Sequence, residues 1–184
     1  MFDEGLRFES MVEIGELSFL LACRNLQMGQ GLKAALWQKR PQKIAIVGDN
    51  IAAVNAMEQH RYTFFFIEDN FPELGGLDFA RFVRLTTGPS SVAPIIFALS
   101  DPQRESVLAA RNAGVNKIVA LPLTGQALVN HINAVLTNLR PFVQNSSYNG
   151  PCRRTSKPQK RAVERRSADD GLIPVKVWTK FWLS

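Results

Sequence analysis

Short, mostly apolar stretches alternate along this chain with longer segments in which apolar residues recur every three or four positions, the mark of strands alternating with helices. Five such stretches stand at residues 17–22, 43–47, 63–67, 94–98 and 117–120. Nearly continuous apolarity of that length suits strands buried on both faces, as in a parallel sheet. Between them, Leu32, Ala35 and Leu36 mark one face of a helix, and Ile51, Val54 and Met57 mark another. Leu77, Ala80, Phe82 and Val83 form a third, Val107, Ala110 and Ala113 a fourth, and Leu128, Ile132, Val135 and Leu136 a fifth.

The turn signals fall between these segments: Gly48-Asp49-Asn50, Gly75-Gly76, Gly88-Pro89-Ser90, Asn112-Ala113-Gly114 and Thr124-Gly125. Strand then helix, repeated five times with right-handed crossovers, predicts an α/β fold: a doubly wound (βα)5 unit with a five-stranded parallel sheet. Ligands of such sheets meet the carboxyl ends of the strands, so function is sought there. The pattern places this domain at residues 15–137, after an N-terminal extension (1–14) and before a basic, flexible tail (138–184).

Charge sharpens that division. Residues 1–137 carry 12 Lys/Arg against 13 Asp/Glu, whereas residues 138–184 carry 10 against 3, so the positive charge resides in the tail. Within it, Val175–Leu183 mixes apolar residues with Lys176, Thr179 and Lys180 and reads as an edge strand or a short docking peptide. No apolar run reaches the ~18 residues of a membrane span, and no signal-peptide pattern opens the chain, so a cytoplasmic protein is expected. Cys23 and Cys152 lie far apart and support neither a disulfide framework nor a metal site.

With the strands placed, residues 15–137 resemble a CheY-like response-regulator receiver domain. Glu68-Asp69-Asn70-Phe71-Pro72-Glu73-Leu74-Gly75-Gly76-Leu77 is similar to that family's acceptor loop, with Pro72, Gly76 and Leu77 at the expected offsets. The stretch from Ala109 to Leu123 resembles its fourth-helix, fifth-strand segment, with Ala113-Gly114 before the strand and Pro122 after it. Val47-Gly48-Asp49-Asn50 imitates the acidic pair that ends a receiver's first strand, but lies too close to Glu68 and belongs to the second.

The resemblance implies a pocket in which carboxylates hold a divalent cation and an aspartate takes a phosphoryl group. Its residues have changed here. Cys23 and Arg24 occupy the two acidic positions, and a fixed guanidinium would repel the metal. Glu68 takes the acceptor position with one methylene too many for in-line transfer. Leu99 falls on the hydroxyl position, Leu121 on the lysine and Ile118 on the switching aromatic. The expectation is a pseudo-receiver that binds no metal or cofactor and is not an enzyme.

Several readings stay open at this point. Arg24 either pairs with Glu68, occupying the metal's place, or both side chains extend into water. Asp69 becomes the acceptor only if the register slips, because adjacent strand residues face opposite ways. Ser100 either replaces the lost hydroxyl or caps the helix before Pro102. Cys23 is a redox thiol lowered by Arg24 or, more simply, a buried apolar residue. His60 and His131 lack any surrounding ligand set.

The expected function is that of a phosphorylation-independent protein-binding module in two-component signal transduction. By resemblance, its partner is a histidine kinase, phosphotransferase or motor effector, or a second copy, met on the fourth-helix, fifth-strand, fifth-helix face that holds Ile118, Leu121 and Pro122. The alternative is an anionic ligand, nucleotide or nucleic acid, held by Arg153, Arg154, Lys157, Lys160, Arg161, Arg165 and Arg166. Tyr148-Asn149-Gly150-Pro151-Cys152-Arg153-Arg154 resembles a Tyr-x-Gly-Pro-x-Arg-Arg ending of certain stand-alone bacterial receivers.

Overall fold

The computed structural model describes residues 12–153 and 171–183. Its chain runs β1 (Ser18–Ala22), α1 (Leu26–Trp37), β2 (Lys43–Val47), α2 (Asn50–Gln59), β3 (Phe64–Glu68), α3 (Gly76–Leu85), β4 (Ile95–Leu99), α4 (Arg104–Asn112), β5 (Lys117–Ala120) and α5 (Gly125–Thr137). The five strands form one parallel sheet in the order β2-β1-β3-β4-β5. The three inner strands are buried at every residue, whereas β2 and β5, at the edges, are buried only in part. That difference explains why the inner strands read as unbroken apolar runs.

Polar residues in the expected turns start the helices. Asn25 accepts the Met28 N–H at 3.1 Å, Asp49 the Ala52 N–H at 2.7 Å and Thr124 the Ala127 N–H at 3.2 Å, each satisfying an otherwise orphaned donor. The predicted faces of α1, α4 and α5 do point inward: Leu32, Leu36, Ala110, Leu128, Ile132, Val135 and Leu136 are all buried. The other two faces differ in part. Ile51 is 66% exposed because α2 turns Ala53 toward the sheet; on α3, Ala80 and Val83 are buried as expected, while Phe79 faces the core in place of Phe82, which is 40% exposed. The domain also begins earlier than expected, since Ile14 is buried in the core.

The larger correction concerns residues 138–153 and 171–183, the described part of the expected flexible tail. Phe142–Gln144 (β6), Asn149–Pro151 (β7) and Leu172–Ile173 (β8) form a small antiparallel sheet in the order β7-β6-β8. Val175–Leu183 is a helix, α6, and neither an edge strand nor an extended peptide. Large apolar residues spaced far apart in a basic segment account for the difference. Phe142 and Trp182 are each fully buried, and Trp182 Nε1 donates to the Thr63 carbonyl at 2.5 Å. Burying two such side chains contributes about 1.5–3 kcal/mol each, enough to order a short segment.

Arg84, at the end of α3, completes the attachment. Its guanidinium is 3% exposed and donates to the carbonyls of Gly114 (2.9 Å), Ser91 (2.9 Å) and Ala93 (2.8 Å) and to Asn116 Oδ1 (3.0 Å). It lies 5.2 Å from the centre of the Phe142 ring, and its own carbonyl accepts from Asn149 Nδ2. Burial lowers its pKa to about 9, so it remains a cation at neutral pH. Gly114 and Gly150 meet beside it, where a Cβ on Gly150 would stand 2.6 Å from the Gly114 Cα. Thr63, Ala93 and Asn116 all precede strands, so the C-terminal segment packs at the amino ends of the sheet, away from the carboxyl ends where a site is sought.

Candidate functional site

The carboxyl ends of β1, β3 and β4 bring together Cys23, Arg24, Glu68, Asp69 and Ser100. Glu68 is the last residue of β3 and is 7% exposed. Its Oε2 accepts the backbone N–H of Arg24 at 2.8 Å and that of Asn25 at 3.3 Å. The Arg24 side chain is exposed and forms no ion pair with Glu68, so of the two open readings the pair is not formed and only Arg24, not the buried Glu68, extends into water. The extra methylene of glutamate lets the carboxylate span to the β1–α1 loop, where two main-chain donors already point at it.

The turn after β3 allows this close packing. Gly76 opens α3 against the strand end, and a Cβ there would stand 2.1 Å from the Glu68 carbonyl oxygen. Its N–H donates to the Asp69 carbonyl at 3.0 Å. The glycine at this offset is thus required by contact as well as by the motif.

Asp69 lies on the other side of β3. Rather than leaving the rim, it accepts from Ser100 N at 2.9 Å, Ser100 Oγ at 2.8 Å and its neighbour Asn70 N at 2.8 Å. Asn70 Nδ2 adds a 2.9 Å bond to Ser100 Oγ. Ser100 therefore does not cap α4, whose N-cap is Gln103. Leu99, in the hydroxyl position, is buried in the core. The sequence carries no pattern that pairs Asp69 with Ser100, because the contact joins two loops across the β3–β4 pair.

Cys23 lies fully buried beneath this rim. Burial, and secondarily the Glu68 carboxylate, push its thiol up to about 12, opposite to what an activated thiol requires. A receiver's divalent cation needs several anionic oxygens at one point. A neutral thiol at Cys23, the cationic Arg24 and a Glu68 already engaged with backbone amides do not fit that ion. Among the described residues, no group of three or more His, Cys, Asp or Glu is placed to hold a metal.

Along β5, Ile118 and Leu121 are partly buried against the core and Pro122 is exposed after a cis Leu121–Pro122 peptide bond. Of the basic tail residues, Arg153 is described, whereas Arg154, Lys157, Lys160, Arg161, Arg165 and Arg166 lie outside the described residues. His60 Nε2 is 3.2 Å from Ser18 Oγ at the opposite end of the sheet. No helix among the described residues is long and apolar enough to cross a membrane.

This strand order defines an open, doubly wound α/β domain whose candidate site lies at the carboxyl edge of β1, β3 and β4. The fold is the CheY-like receiver fold. The chain is similar to the receiver domain of the Francisella response regulator 1452 (16% identity, 66% of this chain and 97% of that one, TM-score 0.58). It is likewise similar to a two-component response regulator from Clostridium difficile (20% identity, 67% and 98%, TM-score 0.60) and to the Vibrio cholerae chemotaxis protein CheY4 (16% identity, 65% and 98%, TM-score 0.59). No protein-family model matches the chain.

Proposed function

We propose that this chain is a receiver that has given up phosphoryl transfer and serves as a phosphorylation-independent protein-binding module in two-component signalling. The observation that carries this reading is the engagement of Glu68: the group in the acceptor position is buried and already bonded to the Arg24 and Asn25 amides. An acceptor must present a free carboxylate oxygen in line with the incoming phosphorus, beside a cation that neutralises the transferred charge. The rim residues support neither requirement. The proposed partner is a kinase, phosphotransferase or motor effector, or a second copy, bound at the α4–β5–α5 face around Ile118 and Pro122.

One observation favours a second reading, in which Asp69 is still phosphorylated. Its carboxylate stands 2.8 Å from the Ser100 hydroxyl, a pairing of acid and hydroxyl on neighbouring strands. Both carboxylate oxygens are taken by hydrogen bonds, however, and Cys23 and Arg24 give a metal no anionic ligand beside it.

The test is to incubate the protein with magnesium and acetyl phosphate and measure its intact mass. No adduct is expected. An adduct lost in Asp69→Asn would establish the second reading, and one lost in Glu68→Gln would overturn the argument from Glu68 itself. The binding half requires partner capture that is equal with and without the phosphodonor and lost in Ile118→Asp.

A further inference from the structure

The β6–β7 hairpin closes one end of a groove whose other walls are α4, the edge strand β5 and the end of α5, with a volume of about 890 Å³. Four cationic side chains line it from four separate segments: Arg111 at the end of α4, Lys117 at the start of β5, Arg140 before β6 and Arg153 after β7. Among the described residues, none that lines it is Asp or Glu. Arg111 and Lys117 belong to the nearly neutral residues 1–137 and Arg140 and Arg153 to the basic residues 138–184, so the groove joins cations from both parts of the chain.

The hairpin holds its arginine in a fixed position. Asn145 Oδ1 accepts from the N–H groups of Ser147 and Tyr148 and shapes the turn, and Tyr148 Oη donates to the Pro151 carbonyl at 2.9 Å. The Arg153 guanidinium then lies 4.0 Å from the Tyr148 ring centre, with a long contact of 3.5 Å from Nη2 to the Asn112 carbonyl. Its Nε is buried and has no hydrogen-bond partner among the described residues. An oriented guanidinium with an unused, desolvated donor is prepared for a bidentate oxyanion. The Tyr148 and Arg153 positions of the Tyr-x-Gly-Pro-x-Arg ending thus stack on each other, and Gly150 is the point at which the hairpin meets Gly114.

We propose that this groove binds a phosphorylated small molecule of nucleotide size. Several cations lining one groove suit a phosphate better than a single carboxylate, and the volume lies in the range of small-molecule sites. Val107, Val135 and Leu139 supply an apolar wall against which a flat ring packs. A nucleic-acid strand would instead need an open basic track along which successive phosphates bind. The site lies near the amino end of β5, remote from Glu68, so it holds whether or not the rim accepts a phosphoryl group.

The test uses the full chain in calorimetric titrations with AMP, GMP, ADP and GDP, with adenosine, guanosine, pyrophosphate and a single-stranded oligonucleotide as comparisons. At least one nucleotide is expected to bind saturably at one site, at least about tenfold tighter than its nucleoside. Arg111→Ala and Lys117→Ala are expected to weaken it about tenfold or more without changing the melting temperature, and Arg153→Lys to weaken it although the charge is kept. Absence of saturable nucleotide binding up to about 1 mM, a threshold that leaves only the weakest affinities, would overturn the proposal. So would binding untouched by these substitutions, which would locate it in residues 154–170, or binding of the oligonucleotide alone.

Discussion

Glu68 Oε2 takes the main-chain N–H of Arg24 at 2.8 Å, so the two residues are joined through backbone and carboxylate while the guanidinium points away. The two side chains therefore have opposite value to stability. Glu68→Ala leaves the Arg24 and Asn25 donors without their acceptor and is expected to cost about 1–3 kcal/mol. Arg24→Ala removes only an exposed side chain and is expected to stay within about 0.5 kcal/mol. Urea denaturation of the two variants decides the matter, and a larger loss for Arg24→Ala would restore the ion pair.

Trp182 ties the C-terminal helix to the foot of β3 through the Thr63 carbonyl. Trp182→Ala opens a cavity in a fully buried position and is expected to cost about 3–5 kcal/mol. Removal of everything after Thr137 takes away Phe142 as well, and its expected effect is a lower denaturation midpoint rather than release of an independent tail. If the truncated protein melted with the full chain, the packing of residues 142–151 and 171–183 would contribute nothing to the fold.

Arg84 bonds four oxygens from two segments and lies against the Phe142 ring, so its loss should be felt across the molecule. Arg84→Met fills similar volume but strips several buried acceptors of their donor, with an expected cost of about 3–5 kcal/mol. Arg84→Lys cannot reach all four acceptors and should recover only part of that. Hydrogen exchange checks the geometry: amides of Val143 and Cys152 should exchange faster in Arg84→Met, together with those around Asn116. Protection lost only within α3 would show that the clasp to the C-terminal segment is unimportant.

The sheet was readable because its signal is repeated: each inner strand is apolar at four or more of its five residues, and the breaks carry turn or capping residues such as Asp49 or Thr124. The rim residues Cys23, Arg24 and Glu68 could be placed for a related reason, since they stand at countable distances from motifs. What those side chains touch was not. Whether Glu68 meets the guanidinium or the amide of Arg24 depends on a rotamer, and Asp69 meets Ser100 across sequence-distant loops. The C-terminal segment was obscured by its charge. Phe142 and Trp182 bury themselves completely, but Phe142 lies in a two-residue apolar step and Trp182 in a nine-residue stretch too short to fix a period. Arg84 was hidden by the usual rule that arginine lies outside, which fails where carbonyls from converging loops replace water.

Cys23 gives a pH test of the same rim. The unfolded thiol ionises near its ordinary value of 9.0, whereas the folded one is held protonated up to about 12, first by burial and then by the Glu68 carboxylate. For an acid whose folded pKa is raised, the stabilisation is complete below the unfolded value and declines as pH rises toward the folded one. Between those limits the expected loss is about 1.4 kcal/mol per pH unit at most. Urea midpoints measured in a Cys152→Ser background should therefore be steady below about pH 9 and fall above it, with Cys23→Ala flattening part of that fall. Glu68→Gln removes the negative neighbour, so the folded thiol should ionise at lower pH and the Cys23-dependent decline should end sooner. An alkaline profile identical in the presence and absence of Cys23 would mean that the thiol is not buried beneath the Glu68 carboxylate.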